Sequence, residues 1–319
     1  MPDFTIIEAP SHLGLRPGGV EHLPDALLNA GLARRLGARR HARLAVPPYD
    51  ARRDLETNIL NPARIRDFAI MLADIVGPVV ARGSFPIVLG GDCSILLGNL
   101  LALRRSGRRY GLLFLDGHAD FYQPEASPTG EAADMDLALS TGRGPALLTD
   151  IEGMRPLVRD ADVAVLGPRD ADQARQYGSQ PLPPKVFAQD LAEVRRIGAE
   201  EAARAAIEHL CRPEIDGFWI HLDVDVLDDA IMPAVGYRIP DGLSWEDLET
   251  ILRAAMRSGR AAGINITIFE PPQDKDGSIA RALVDSLARA LVRSPDARLE
   301  LCALRQRRMG LGFSMARYA

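Results

Sequence analysis

The sequence has only three cysteines, at positions 93, 211 and 302, too widely spaced to read as a disulfide framework. No apolar run reaches the roughly 20 residues that a membrane-spanning helix needs. Residues 1–8, M-P-D-F-T-I-I-E, lack the basic start and long apolar core of a secretory signal. A cytoplasmic protein with no membrane partner is expected. Basic excess is also missing, with 38 Lys and Arg against 43 Asp and Glu. Nucleic-acid binders usually carry the opposite imbalance, so no nucleic-acid partner is expected. The Arg-rich patches at 34–43 and 104–109 are short enough to be solvated helix faces. No repeat, low-complexity tract or composition shift marks a boundary, and one domain over residues 1–319 is the expectation.

What the sequence does have is a set of apolar segments that stop in acidic residues. Residues 110–122 read Y-G-L-L-F-L-D-G-H-A-D-F-Y. The run Leu112 to Leu115 suits a strand covered on both faces of a parallel sheet. Asp116, His118 and Asp120 follow at period two, so an extended chain would aim all three the same way. Residues 217–229 repeat the pattern in G-F-W-I-H-L-D-V-D-V-L-D-D, with Asp223 and Asp225 two apart and Asp228 just beyond. Neither Lys nor Arg occurs between Arg212 and Arg238, so no local ion pair is at hand for these carboxylates. Buried carboxylates need a cation, and two carboxylate-rich strand ends with an imidazole suit a metal. A third segment, P-I-V-L-G-G-D-C-S-I-L-L-G at 86–98, runs from a short strand through Gly90 and Gly91 into a helix. Asp92 or Ser94 would cap that helix. Cys93, at the corner, is either a ligand or a small buried residue.

The remaining pattern alternates strand and helix. Strands are expected at Phe4–Glu8, near Asp162–Leu166 and near Gly263–Phe269. Helices are expected at Val20–Leu36, Ala63–Arg82, Ile95–Arg105, Trp245–Ser258 and Ser278–Val292, and over part of 181–209. This order specifies an α/β fold of three layers, αβα, around a mainly parallel sheet. Ligands in such sheets gather at the carboxyl ends of strands, where all three acidic motifs stand.

The three motifs, in this order, resemble those of the ureohydrolase family of arginases and agmatinases. The family's G-G-D-H, D-A-H-x-D and S-x-D-x-D-x-x-D-P become G-G-D-C at 90–93, D-G-H-A-D at 116–120 and H-L-D-V-D-V-L-D-D at 221–229. The opening segment from Ile6 to Leu32 and G-P-R-D-A-D at 167–172 are similar to the family as well. The resemblance implies an arginase-like fold and hydrolysis of a C–N bond in a linear amidine or guanidino compound. It also implies two divalent ions, usually manganese, held by Cys93, Asp116, His118, Asp120, Asp223 and Asp225. Asp116 and Asp223 would bridge them, and Asp120 would assist proton transfer. A trimer or hexamer is implied too.

Departures from the family pattern matter for function. Cys93 stands where the family has histidine. A thiolate there would add a negative charge and tilt preference towards zinc or iron; a neutral thiol would leave the first ion weakly held. In the 122–133 loop, Ala133 replaces the family's shuttle histidine, and Glu131 is the nearby candidate acid or base. The family's E-V-N-P becomes I-F-E-P at 268–271, so Ile268 occupies the place of the guanidinium-binding glutamate. Glu270, two residues on, is the candidate replacement. Asp172 matches the carboxylate that meets a substrate amino group, while G-Y-R at 236–238 adds bulk at the pocket mouth. His221, two positions before Asp223, is a candidate supporting residue behind the ligands. These features imply a hydrolase whose substrate is not free L-arginine. The alternative is a weak or inactive relative kept for a binding or structural role.

Overall fold

The computed structural model describes residues 2–292. The carboxyl-terminal part of the expected single domain, with Cys302, lies outside them.

Eight strands form one parallel sheet: β1 (Phe4–Ala9), β2 (Arg39–Arg43), β3 (Phe85–Gly90), β4 (Tyr110–Leu115), β5 (Val163–Leu166), β6 (Phe187–Gln189), β7 (Gly217–Asp223) and β8 (Ala261–Thr267). Their order is β2-β1-β3-β8-β7-β4-β5-β6. The four inner strands β3, β8, β7 and β4 are neighbours, and each leads at its carboxyl end into one of the segments singled out above. Helices cover both faces, giving the expected three layers. One apolar core includes Ile87, Phe218, Leu252 and Leu287; the other includes Val88, Phe68, Leu97 and Phe114. β3 and β7 are buried along their full lengths, which explains their unbroken apolar sequence.

Several local expectations change. The helix expected over Val20–Leu36 is broken: a 3-10 turn at Val20–His22 leads to helices at Leu23–Asn29 and Leu32–Leu36. Gly31 between the last two has φ 94°, a conformation that interrupts helical hydrogen bonding. β2 and β6 were not expected. β2 is R-R-H-A-R and largely exposed, so it has no apolar alternation; its pairing with β1 makes it a strand. Among the described residues, no helix is long and apolar enough to cross a membrane.

Candidate metal centre and pocket

The acidic residues converge because the chain turns sharply at the strand ends, and strand alternation is not the cause. β4 stops at Leu115, and Asp116 Oδ1 then accepts the His118 backbone N–H at 2.7 Å. Asp120 sits at φ 45°, well away from extended backbone. β7 stops at Asp223, whose Oδ1 accepts the Asp225 N–H at 2.8 Å across a 3-10 turn. Each leading aspartate therefore builds the turn that delivers the next ligand candidate. Arg169 secures the second turn by donating to the carbonyls of Asp225, Ile239 and Leu227 at 2.8, 3.1 and 3.3 Å.

The third corner is fixed by Asp92. Its Oδ1 accepts the Ser94 N–H at 2.8 Å and its Oδ2 accepts the Ser11 hydroxyl at 2.7 Å. Gly91 lets this turn press on the opening loop, because a Cβ there would overlap the Ser11 carbonyl. Cys93 is left buried, its thiol donating to Asp223 Oδ2 at 3.0 Å.

The result is one compact group of donors. A ligating atom from each of Cys93, Asp116, His221 and Asp223 lies within 4.8 Å of the others. The same holds for Cys93, Asp120 and Asp136, and for Asp116, His118 and Asp120. Asp225 joins through Oδ2, 2.9 Å from His118 Nδ1. All six residues expected from the sequence are thus brought together, with His221 and Asp136 added. Asp136 escaped sequence reasoning because it lies beyond the motifs, and only the fold carries the start of its helix (Asp136–Ser140) to the site.

The electrostatics match a site made for cations. Burial, reinforced by the charges of Asp116, Asp136, Asp223 and Asp225, pushes the Asp120 carboxyl well above its usual range. Burial also raises Asp223, with Asp225 and Asp116 adding to the effect, and raises Asp136 beside Asp116. The Cys93 thiol is pushed up by burial and then by the Asp223 charge. Burial works against charge on His118 and Asp116 as well, but their contacts prevail. His118 is raised beside Asp225 and Asp116, and Asp116 is held at about 2 by the neighbouring His118 and His221 imidazoles. Asp116 Oδ2 and both Asp136 carboxylate oxygens are buried without a hydrogen-bond partner. A divalent cation would satisfy such orphaned carboxylates, so the donor set fits a metal.

The cluster floors a cleft walled by Leu15, Tyr122, Ala133, Tyr177, Tyr237 and Ile268, with Glu131 and Asp134 at one side. Among the described residues, neither Lys nor Arg lines it. Glu131 is buried and already engaged: Oε1 accepts the Arg16 N–H at 2.7 Å and Oε2 accepts the Tyr237 hydroxyl at 2.5 Å. Asp134, which sequence reasoning passed over, is pushed up to about 7 by burial, against a hydrogen bond from Ser127 Oγ.

Two expected substrate contacts lie elsewhere. β8 ends at Thr267, and Ile268 has φ 73°, so Glu270 does not share Ile268's face. Its carboxylate accepts from Gln273 Nε2 and packs behind the cleft wall, where Cβ atoms on Gly18 and on cleft-lining Gly236 would stand, and it does not itself line the cleft. Asp172 is almost fully exposed on the helix Ala171–Tyr177 and pairs with Arg175. Neighbouring Gln173 and Tyr177, by contrast, reach the cleft.

Comparison with known proteins returns a family for this chain. The arginase family model matches residues 2–293, and the chain belongs to that family, whose members are metallohydrolases acting on guanidino C–N bonds. Among particular relatives, the arginase of Bacillus caldovelox is 31% identical over 298 residues, covering 90% of this chain and 98% of its own. The arginase of Bacillus subtilis is 28% identical, covering 89% and 97%. The solved structure of the Bacillus caldovelox arginase superposes with a TM-score of 0.82 at 26% identity, covering 92% of this chain and all of the other.

Proposed function

We propose that this chain hydrolyses the C–N bond of a guanidinium or amidinium compound with an apolar tail, and that free L-arginine is a poor substrate. The observation that carries this reading is the cleft: an acidic floor under an aromatic and aliphatic wall that, among the described residues, holds no Lys or Arg. The floor attracts a cationic head, whereas the wall offers a substrate carboxylate no charged partner.

In this reading Cys93, Asp116, Asp120 and Asp223 would hold one divalent cation, and Asp116, His118, Asp223 and Asp225 a second. The fit is chemical: carboxylates, an imidazole and a thiol with unsatisfied oxygens among them. Two such cations, when bound, would lower the pKa of water enough for attack at neutral pH. A water oxygen adds to the planar carbon, the bond to the tail nitrogen breaks, and the proton released by the water ends on the departing amine. Asp120, buried against the cleft floor, is the proton carrier we assign to that transfer. Glu131 holds Tyr237 at the cleft wall and so shapes the pocket; with both oxygens engaged it is not free to shuttle. The thiol at Cys93 favours zinc or iron over the manganese usual in the family.

The amino-acid head group of arginine needs several polar contacts, each charge-assisted hydrogen bond being worth ~1.5–3 kcal/mol. Asp172 is exposed and paired, and Ala133 and Ile268 offer no polar group. Urea release from L-arginine is therefore expected to be at least several hundredfold slower, as kcat/KM, than from an alkylguanidine. Assays of both compounds with manganese-loaded and zinc-loaded protein test this. Faster turnover of L-arginine would overturn it. Family resemblance also supports a trimer or hexamer, and light scattering that shows a monomer at micromolar concentration would reject that.

A further inference from the structure

His221 is close enough to the cluster to be taken for a metal ligand, but its hydrogen-bond partners argue otherwise. It lies on β7 opposite Asn265 of β8, with its ring stacked on Phe114 at 4.6 Å, and it is fully buried. Trp219, two residues before it on the same strand face, donates its indole N–H to Asn265 Oδ1 at 2.7 Å. Indole nitrogen can only donate, so the amide oxygen must face Trp219 and the amide nitrogen must face His221. Asn265 Nδ2 is 2.8 Å from His221 Nδ1 and can only donate to it. Nδ1 is thereby an acceptor, and the ring proton of the neutral imidazole resides on Nε2.

That Nε2 faces two carboxylates, 3.8 Å from Asp116 Oδ2 and 3.9 Å from Asp136 Oδ2. All three of these atoms are buried without a hydrogen-bond partner. The separations exceed a hydrogen-bond length of about 2.7–3.2 Å, so a modest closing of the cluster brings donor and acceptors together, and no competing partner occupies these atoms.

We propose that His221 is a positioning residue: locked as the Nε2–H tautomer by the Trp219–Asn265 pair, it donates to Asp116 and Asp136 behind the cluster and does not itself bind metal. This reverses the usual arrangement, in which a histidine ligates through one nitrogen and donates from the other to a carboxylate. Here Asp116 would stand between the histidine and a bound metal. The positioning role rests on the metal-centre reading above. The tautomer does not, so the two fail separately.

Long-range 15N–1H correlation spectra of histidine-labelled protein test it, with the His221 signal assigned from its loss in His221→Gln. The metal-free and the zinc-loaded protein should both show the Nε2–H pattern. An Nδ1–H pattern, or loss of the Nε2 proton on loading with zinc, overturns the proposal. Asn265→Asp, whose carboxylate accepts from both Trp219 and the ring, should switch the pattern to Nδ1–H; an unchanged pattern shows that Asn265 does not set the tautomer. For the positioning role, His221→Phe keeps the stacking and removes the donor. It should weaken zinc binding by roughly 10–100-fold, as loss of such supporting residues does, while His221→Gln, which keeps a donor, should recover most of that loss. Equal affinities in the two variants overturn the role.

Discussion

Replacing Asp223 with asparagine should raise the melting temperature of the metal-free protein at pH 8 while abolishing the further rise that divalent cations give the wild type. The sign follows from burial. Burial, with the charges of Asp225 and Asp116, lifts the Asp223 carboxyl well above its ordinary range, and the unfolded chain returns it to about 3.9. A carboxyl raised on folding contributes stability that is complete below the unfolded value and is lost as pH rises through the folded one. At pH 8 the metal-free fold therefore carries the cost of this carboxylate, and Asp120 and Asp136 add to it in the same direction. Asparagine keeps an oxygen for the Asp225 N–H and removes the charge. Metal reverses the balance in wild type, contributing about 2.7 kcal/mol at a concentration 100 times Kd. The gap in melting temperature between loaded and metal-free wild type should widen from pH 5 to pH 8, since ligation must displace protons. Calorimetry of both proteins with and without zinc checks all of this. A variant that melts lower than wild type when metal-free, or still gains from zinc, would contradict it.

The second large effect is expected at Cys93. Its thiol proton is held by burial and by four neighbouring aspartates, Asp223 first. A cation that binds sulfur strongly displaces this proton, whereas a hard cation gains little from doing so. Wild type should accordingly prefer zinc to manganese. Cys93→His supplies a neutral nitrogen and removes one negative charge from the ligand set. The zinc-to-manganese affinity ratio should fall by roughly tenfold or more, the scale of changes close to a bound metal. Competitive titration measures the ratio, and an unchanged value would mean that Cys93 does not ligate.

Much of the centre was legible in the sequence because each motif is local. An aspartate at a strand end both ligates and folds the turn carrying its neighbour, so Asp116–His118–Asp120 and Asp223–Asp225 stay near in sequence as in space. The fold was legible for a related reason: strands buried on both faces are written as unbroken apolar runs. Other features depend on backbone that no periodicity reveals. Glu270 was expected beside Ile268 on an extended strand, but the left-handed turn at Ile268 sends it elsewhere. Asp172 lies in the first turn of a surface helix, and Gln173 and Tyr177, four apart on another face, reach the cleft instead. β2 carries three arginines and is specified by its partner β1, not by its own side chains. Asp136 and the Trp219–Asn265–His221 chain emerge only when β7, β8 and the helix at 136–140 are packed together.

This buried group of carboxylates, imidazole and thiol is proposed to hold two cations. Isothermal titration of metal-stripped protein with zinc, paired with elemental analysis after gel filtration, tests it most directly. Two ions per chain are expected, bound with release of protons and more tightly at pH 8 than at pH 6. A protein that retains no divalent ion at any pH after loading would contradict it.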